Sequence, residues 1–538
     1  MDGTGFDAPV RTAYASQLSR RRIIITMVAA MGGMFLASLD GTIVSTAMPT
    51  IVADLKGIDQ YAWVFSGYLL AEIATIPLWG RLADMYGRKR TFMLGMAIFL
   101  LGSAFSGLAG SMTMLIAFRA LQGLGAGCLL PVAQTITADL FTLEQRAKVS
   151  GVYSALFAFS AILGPILGGF ITDTFSWRWV FYVNLPVGIA AITLVGVAMI
   201  EPIRQRVRHR LDWAGIVLLL GWTGSLVFAL ESGGRDYRWD SPVIVGLFVL
   251  SAVLLAVFVV VEISAEEPLI PFDLFGLKML RAATLIVAAV GVAMFAMTSF
   301  LPLFVQVVVG SSATGAGQVL TPMMLAMMVS SAVGVRLILR LGYRVICSAG
   351  FLVMIVGAFM LTRLTVDATW FGVCLCMVFI GGGVGMVFMG SALATQSSVD
   401  LPRMGVATGL NNFTRQLGGA VGVAVASALL TGGLTSRLSA AFPGQKVDTA
   451  SLLTPAAGSG PPLPKAAEEA VRSAFAGALH SVFLMTLVAV VLGACAVLLM
   501  PRGSATALRD AAQSRFVEEL EEHPEEVGEY GISEVDQH

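Results

Sequence analysis

The chain has 538 residues, 57% of them hydrophobic and only 13% charged, whereas soluble domains carry about 25% charged residues. A mean hydropathy of +0.83 therefore excludes a water-soluble globular protein. Thirty-four basic residues balance thirty-four acidic ones, which excludes the basic surface of a nucleic-acid binder.

A helix needs roughly 20 residues to cross about 30 Å of hydrocarbon. Apolar runs predict spans near 23–48, 62–79, 92–110, 112–135, 150–172, 180–200, 212–230 and 242–262. Six more fall near 280–309, 316–340, 345–363, 368–393, 404–432 and 473–500. The fold class is thus an all-α polytopic membrane protein of about fourteen transmembrane helices. No small-residue cleavage site follows a short apolar core, so the first run reads as a retained helix rather than a signal peptide.

Basic residues collect at Arg20–Arg22, Arg81, Arg88–Arg90, Arg146 with Lys148, Arg204–Arg210, Lys278 with Arg281, and Arg336–Arg344. If helices alternate direction, all of these fall on one side, which the positive-inside rule makes cytoplasmic, with both termini. The basic stretch RQRVRHR (204–210) closes a first block of six spans. The expected organisation is a cytoplasmic segment 1–22, a six-helix bundle 23–200, a linker with two inserted helices 201–279, a second six-helix bundle 280–500 and an acidic tail 501–538. An outer loop is expected at 433–472. GRLADMYGRKR (80–90) and GVRLILRLGYR (334–344) occupy matching places in the two blocks, a faint echo of duplication.

Charged groups inside these spans need a reason, because burying them in lipid is costly. At 1.5 Å per residue, Asp40 lies about 25 Å along the first helix from Ile23, and Arg119 about 10 Å from the start of the fourth. With the helices antiparallel, the two share a depth, so each offsets the other's burial. Asp40 is then either a permanently ionised partner of Arg119 or a proton carrier. Glu72 falls near the midplane of the second helix, as a hydrogen-bonded buried acid or as a cation or second proton site. Arg415, flanked by Asn411, Asn412 and Gln416, is either a network-holding group or part of a wet cavity between the bundles. Phe304 and Gln306, with Met and Phe side chains of the ninth, tenth and twelfth helices, are candidates for an adaptable apolar cavity wall. Gly80 and Gly87 permit a tight turn, and Asp84 can cap a helix or pair with Arg88. The five cysteines, all in or beside apolar runs, read as inert buried thiols. Four dispersed histidines offer no catalytic constellation, so an enzyme is not expected, and no Walker motif is present to use ATP.

Five ordered motifs carry a resemblance. LDGTIVSTAMP (39–49), GRLADMYGRKR (80–90), LIAFRALQGLGAG (115–127), GVYSALFAFSAILGPILGG (151–169) and SWRWVFYVNLPVG (176–188) resemble, in order and spacing, those of the major facilitator superfamily. The resemblance is greatest to its fourteen-helix branch of drug–proton antiporters. It implies two six-helix bundles plus two linker helices and export of amphipathic, often cationic compounds in exchange for protons. It places Asp40 and Arg119 in proton coupling, and Gly80, Asp84, Gly87 and Arg88 in a cytoplasmic latch; Glu72, where the family usually has a small or uncharged residue, joins the proton-coupling set from its depth alone. It assigns Gly151, Ser160, Gly164, Pro165, Gly168 and Gly169 to an antiporter motif, with Ser160 standing where the family has glycine. The cavity would draw on Glu72, Asn411, Asn412, Arg415 and Gln416. Expected partners are a small amphipathic or lipidic substrate, protons and the bilayer, with no cofactor and no metal. The protein is expected to work as a monomer in a bacterial plasma membrane. Export of a lipid, glycolipid or secondary metabolite, suited by the outer loop, is the alternative, and a non-transporting sensor a further one.

Overall fold

The computed structural model describes residues 18–56, 60–61, 63–200, 212–234, 236–311, 313–400, 403–441 and 465–503. Among these, helices account for the architecture, with one isolated bridge between Gly233 and Tyr237. The first bundle comprises α1 (Arg20–Leu55), α2 (Trp63–Tyr86), α3 (Arg88–Gly107), α4 (Met112–Leu140), α5 (Leu143–Thr174) and α6 (Trp179–Ala198). Two helices follow, α7 (Trp213–Ser232) and α8 (Pro242–Ser264). The second bundle comprises α9 (Lys278–Val307), α10 (Leu320–Leu341), α11 (Tyr343–Thr362), α12 (Trp370–Ser397), α13 (Met404–Ala441) and α14 (Lys465–Val497). Thirteen of these are long and apolar enough to cross a membrane. The other long helix is α2, whose Glu72, Arg81 and Asp84 dilute its hydropathy.

Local chemistry explains the helix starts. Ser111 accepts from Met114 N at 3.3 Å, Asp212 from Gly215 N at 2.8 Å, and Thr369 from Gly372 N at 3.2 Å. Each satisfies an otherwise orphaned N–H of a first turn. Thr142 and Gln145 form a reciprocal capping box at α5. Gly87 (φ 94°) and Gly342 (φ 83°) immediately precede α3 and α11. Their left-handed backbones favour glycine, so the sequence echo corresponds to the same turn in both bundles.

Helices α1–α6 pack among themselves, as do α9–α14, while α7 leans on α8, α2 and α13. Ser66 Oγ donates to Glu231 Oε2 at 3.0 Å, and the Trp222 and Phe413 rings meet edge to face at 5.9 Å, fastening α7 to both bundles. Helix α8 leaves Val249, Val253, Val260 and Ile263 exposed; such a surface suits lipid rather than water. The bundles meet where α2 crosses α13 and α10 crosses α5. Each crossing pairs the second helix of one bundle with the fifth of the other.

Several boundaries differ from the sequence reading. Helix α13 continues to Ala441 and α14 starts at Lys465, so the expected outer loop 433–472 is helical at both ends. Hydropathy counting stops where apolar residues stop, whereas a helix continues past the bilayer. Arg472 then holds α14 in place, donating to Val366 O at 2.7 Å and to Val308 O. Arg146 is no loop residue: it lies buried in the first turn of α5. Cys495 is exposed on α14, unlike the other four cysteines, which are buried. The RQRVRHR stretch, the segment 1–17, the loop 442–464 and the tail from 504 lie outside the described residues.

Candidate functional site

Two charged centres occupy the interior, and their bonding differs. In the first, Asp40 of α1 and Arg119 of α4 form a fully buried ion pair. Gln122, one helical turn beyond Arg119 on the same face, donates to Asp40 Oδ1 at 2.8 Å and accepts from Arg119 Nη1 at 2.8 Å. Asn184 of α6 donates to Asp40 Oδ1 at 3.1 Å and to Ser103 Oγ of α3 at 3.0 Å. The Arg119 guanidinium lies 4.2 Å from the centre of the Tyr68 ring of α2, and Nε donates to Val64 O at 3.4 Å. Five of the six helices of the first bundle thus converge on one carboxylate. A charge this deep is tolerated when paired and hydrogen-bonded; Asp40 has three donors, and Arg119 has three acceptors and two ring faces.

The second centre lies on the seam between the bundles. Gln416 Nε2 of α13 donates to Glu72 Oε1 of α2 at 3.1 Å. Arg415, next to Gln416 on α13, sets its guanidinium over the Phe388 and Phe295 rings, 5.3 and 5.8 Å from their centres. Asn412 Nδ2 donates to Gln134 Oε1 of α4 at 2.8 Å, a second polar link across the seam. Asn411 instead turns within its own bundle, donating to Thr395 Oγ1 at 3.2 Å. Arg146 Nη1 reaches Gln396 Oε1 of α12 at 3.4 Å, beside a narrow cavity also lined by Gln134, Tyr153 and Met389.

At the end of the bundle marked by the α2–α3 loop, the seam is shut. Asp84 accepts from Gly405 N at 2.9 Å and from Val406 N at 2.8 Å, so a carboxylate of one bundle caps the first turn of α13 in the other. Negative charge at a helix N-terminus meets both the free N–H groups and the positive end of the dipole. Arg88 holds that carboxylate at 3.1 Å and reaches Asp139 of α4 at 3.1 Å. Gly80 and Gly405 make the approach possible: a Cβ on either would collide with the other's carbonyl. Gly87 serves this arrangement through its turn.

The glycine-rich motif of α5 divides by face. A Cβ on Gly164 would overlap Thr42, and one on Gly168 would lie 2.7 Å from Ile43 O, so both seat α5 against α1 two to six residues beyond Asp40. Ser160 is buried there and accepts, through its carbonyl, from Thr42 Oγ1 at 3.2 Å. Pro165 lies within the helix between them. Gly151 instead faces Ala332 of α10 across the seam, where a Cβ would make ordinary contact at 3.4 Å. Gly169 has nothing within 4 Å of its would-be Cβ.

Of two further expected cavity residues, one is drawn into a bundle core. Phe304 is fully buried in the core of the second bundle, its ring 5.5 Å from that of Phe483 on α14. Gln306 is exposed in the last turn of α9. Phe304 is turned into that core because the rotation of α9 about its axis is set by packing that no single apolar count reveals. Sequence reasoning missed Gln122, Asn184, Tyr68, Gln134, Asp139 and Gln396. Gln122 was findable as the i+3 neighbour of Arg119; the others are brought in only by tertiary packing.

Comparisons with known proteins agree with this architecture. Residues 30–423 match the family description Major Facilitator Superfamily. The chain is 38% identical over 500 residues to "Multidrug resistance protein 3" of Bacillus subtilis (strain 168), covering 91% of this chain and 96% of that protein. It is 32% identical over 504 residues to "Efflux pump dotC" of Dothistroma septosporum (strain NZE10 / CBS 128990), covering 91% and 86%. The crystal structure of the human organic anion transporter MFSD10 (TETRAN) superposes with a TM-score of 0.57 at 15% identity, over 90% of this chain and 100% of that one. A bacterial homolog to the human lysosomal transporter Spinster, inward-facing and unoccupied, gives 0.54 at 17% identity, over 92% and 99%; these two likenesses concern fold alone. With fourteen long helices in two packed groups, an interior ion pair and a family match over most of its length, the chain belongs to the Major Facilitator Superfamily of membrane transporters.

Proposed function

We propose that this protein is a proton-coupled exporter of amphipathic, often cationic compounds, working by alternating access. The observation that supports it best is the buried Asp40–Arg119 pair with its amide partners. An ionisable pair at that depth marks a substrate or proton route, and Gly164 and Gly168 place the flexing face of α5 directly beside it. Relatives named as a multidrug resistance protein and an efflux pump support outward transport. The Asp84–α13 contact holds one end shut, and breaking it lets the bundles rock about the seam. By loop charge that end is cytoplasmic, with both termini, in a plasma membrane. No cofactor beyond the proton gradient is needed, and one chain suffices. Each proton crossing 100 mV supplies about 2.3 kcal/mol, roughly fortyfold in substrate gradient.

Purified protein in liposomes with an imposed pH gradient tests this reading. A cationic dye should move against its gradient, and collapse of the proton gradient should stop it. Uphill movement that persists without any proton gradient would overturn the coupling, and absence of dye movement would overturn the export.

A further inference from the structure

Asp40 receives hydrogen bonds and gives none. Its Oδ1 accepts from Gln122 at 2.8 Å and from Asn184 at 3.1 Å, and its Oδ2 accepts from Arg119. Such a set suits an ionised carboxylate. A proton arriving on Asp40 turns one of its oxygens into a donor, so one of the three partners has to become an acceptor. Arg119 has no acceptor to offer. Gln122 is locked, because its Oε1 already accepts from Arg119 Nη1 at 2.8 Å, and reversing its amide would set N–H against N–H. Asn184 is free to reverse. Both its N–H groups are spent, on Asp40 Oδ1 and on Ser103 Oγ at 3.0 Å. Its Oδ1 is fully buried and has no hydrogen-bond partner among the described residues. A buried acceptor left open in an otherwise complete network calls for a reason.

We propose that Asn184 is the positioning residue that registers the proton on Asp40: its amide reverses, so that Oδ1 accepts from the new Asp40 O–H where Nδ2 had donated to the carboxylate. This role presupposes the proton-coupled reading above and adds the step by which the proton is felt. The only covalent bond formed is the Asp40 O–H, and none breaks within the protein. The same reversal presents Asn184 Oδ1 to Ser103 Oγ. The Ser103 hydroxyl, which donates to Phe181 O at 2.9 Å, then swings to Asn184 and leaves that carbonyl. Phe181 and Asn184 lie on either side of Val183, where α6 is interrupted. The proton on α1 is thereby passed on as a lost bond between α3 and α6, at a point where the helix is already broken. Among the described residues, the charged and titratable side chains that reach Asp40 or its partners are Arg119 of α4 and Tyr68 of α2, which lies on the guanidinium face. The other carboxyl of α2, Glu72, is bonded to Gln416 on the seam instead. From α3 and α6 the network receives only the neutral Ser103 and Asn184, and α5 packs there through Gly164 and Gly168.

The sequence makes a direct test practical, since its asparagines are Asn184, Asn411 and Asn412 alone. Full-length protein carrying asparagine labelled with carbon-13 at the side-chain carbonyl is placed in liposomes. Infrared difference spectra are then taken between the two ends of the pH profile of dye efflux. The Asn184 band, identified by its loss in Asn184→Leu, should move to lower frequency as the proton arrives, because a carbonyl weakens when it begins to accept a hydrogen bond. Asp40→Ser, carried with Arg119→Gln so that no buried cation is left unpaired, should abolish the movement. Asn184→Leu should also lower uphill dye efflux about fivefold, the scale of one hydrogen bond, without weakening dye binding. A band that stays put in wild-type protein that pumps, or that moves equally without Asp40, refutes the reversal and leaves export standing. Equal losses of dye affinity and efflux in Asn184→Leu refute it too, since a packing role alone lowers both. Should Asn184→Leu fail to fold, the band is identified by its persistence in Asn411→Gln and Asn412→Gln, and the spectra decide alone. Wild-type liposomes that extrude no dye under an imposed pH gradient would remove both the reversal and the proton-coupled reading.

Discussion

Replacing Asp84 by Asn should open the end of the transporter that this structure shows shut. The carboxylate accepts two backbone N–H groups of α13, at 2.9 and 2.8 Å, and pairs with Arg88 at 3.1 Å. Hydrogen bonds to a charged group contribute about 1.5–3 kcal/mol each, and an amide oxygen retains part of that. It keeps at most one good acceptor and brings an NH₂ group that faces the same donors. A net loss of about 3 kcal/mol from the closed state follows, on the order of a hundredfold in the closed-to-open ratio. Arg88 keeps its contact with Asp139 at 3.1 Å, so the bundle itself should survive. Spin labels at Tyr86 and Leu341, both exposed near this end and on opposite bundles, would read the change by pulsed dipolar spectroscopy in a cysteine-free background. The expected result is a longer, broader distance distribution in Asp84→Asn than in the wild type. An identical distribution would show that the cap does not hold the seam, whatever its geometry.

Gly405→Ala should act in the same direction by steric means, because the added Cβ meets Gly80 O and lies 2.7 Å from Asp84 Oδ1; the same label pair reads it. Asp40→Asn should abolish proton-coupled efflux in inside-out vesicles and also lower thermal stability, since it leaves Arg119 a buried cation without its anion, a loss of about 3–5 kcal/mol. Adding Arg119→Gln should recover stability, followed by tryptophan fluorescence, without recovering efflux; efflux in the double variant would remove Asp40 from coupling. Phe304→Ala should cost about 3–5 kcal/mol of stability and leave the ranking of transported dyes unchanged, because its ring packs on Phe483. A changed ranking would put it back in the cavity.

The parts of this site legible from sequence are those fixed by helical rise. Counting 1.5 Å per residue was enough to bring Asp40 and Arg119 to one depth, and the structure pairs them. Rise says nothing of rotation about the helix axis. Phe304 on α9 therefore went to the cavity on composition alone, though its ring packs on Phe483. The latch glycines were visible as a turn signal, but their partner was not: Gly405 lies 325 residues from Gly80, and nothing local links them. Asn184 was quoted within an aromatic motif, yet its bond to Asp40 depends on α6 lying beside α1. Buried amides escape sequence reading because the same residues are equally at home in water.

The two crossings at the shut end are built unequally. Helix α5 begins with its own Thr142–Gln145 box, so it keeps its first-turn partners wherever α10 goes. Helix α13 borrows an anion from across the gap, so separation leaves its leading amides bare unless water takes over. Parting on the α5 flank costs the long Arg146–Gln396 bond at 3.4 Å, whereas the α2 flank loses two charge-capped amide bonds at once, so the resulting tilt is lopsided rather than a symmetric scissoring. Whatever passes through should meet its first opening beside α10, with the α2 side parting last.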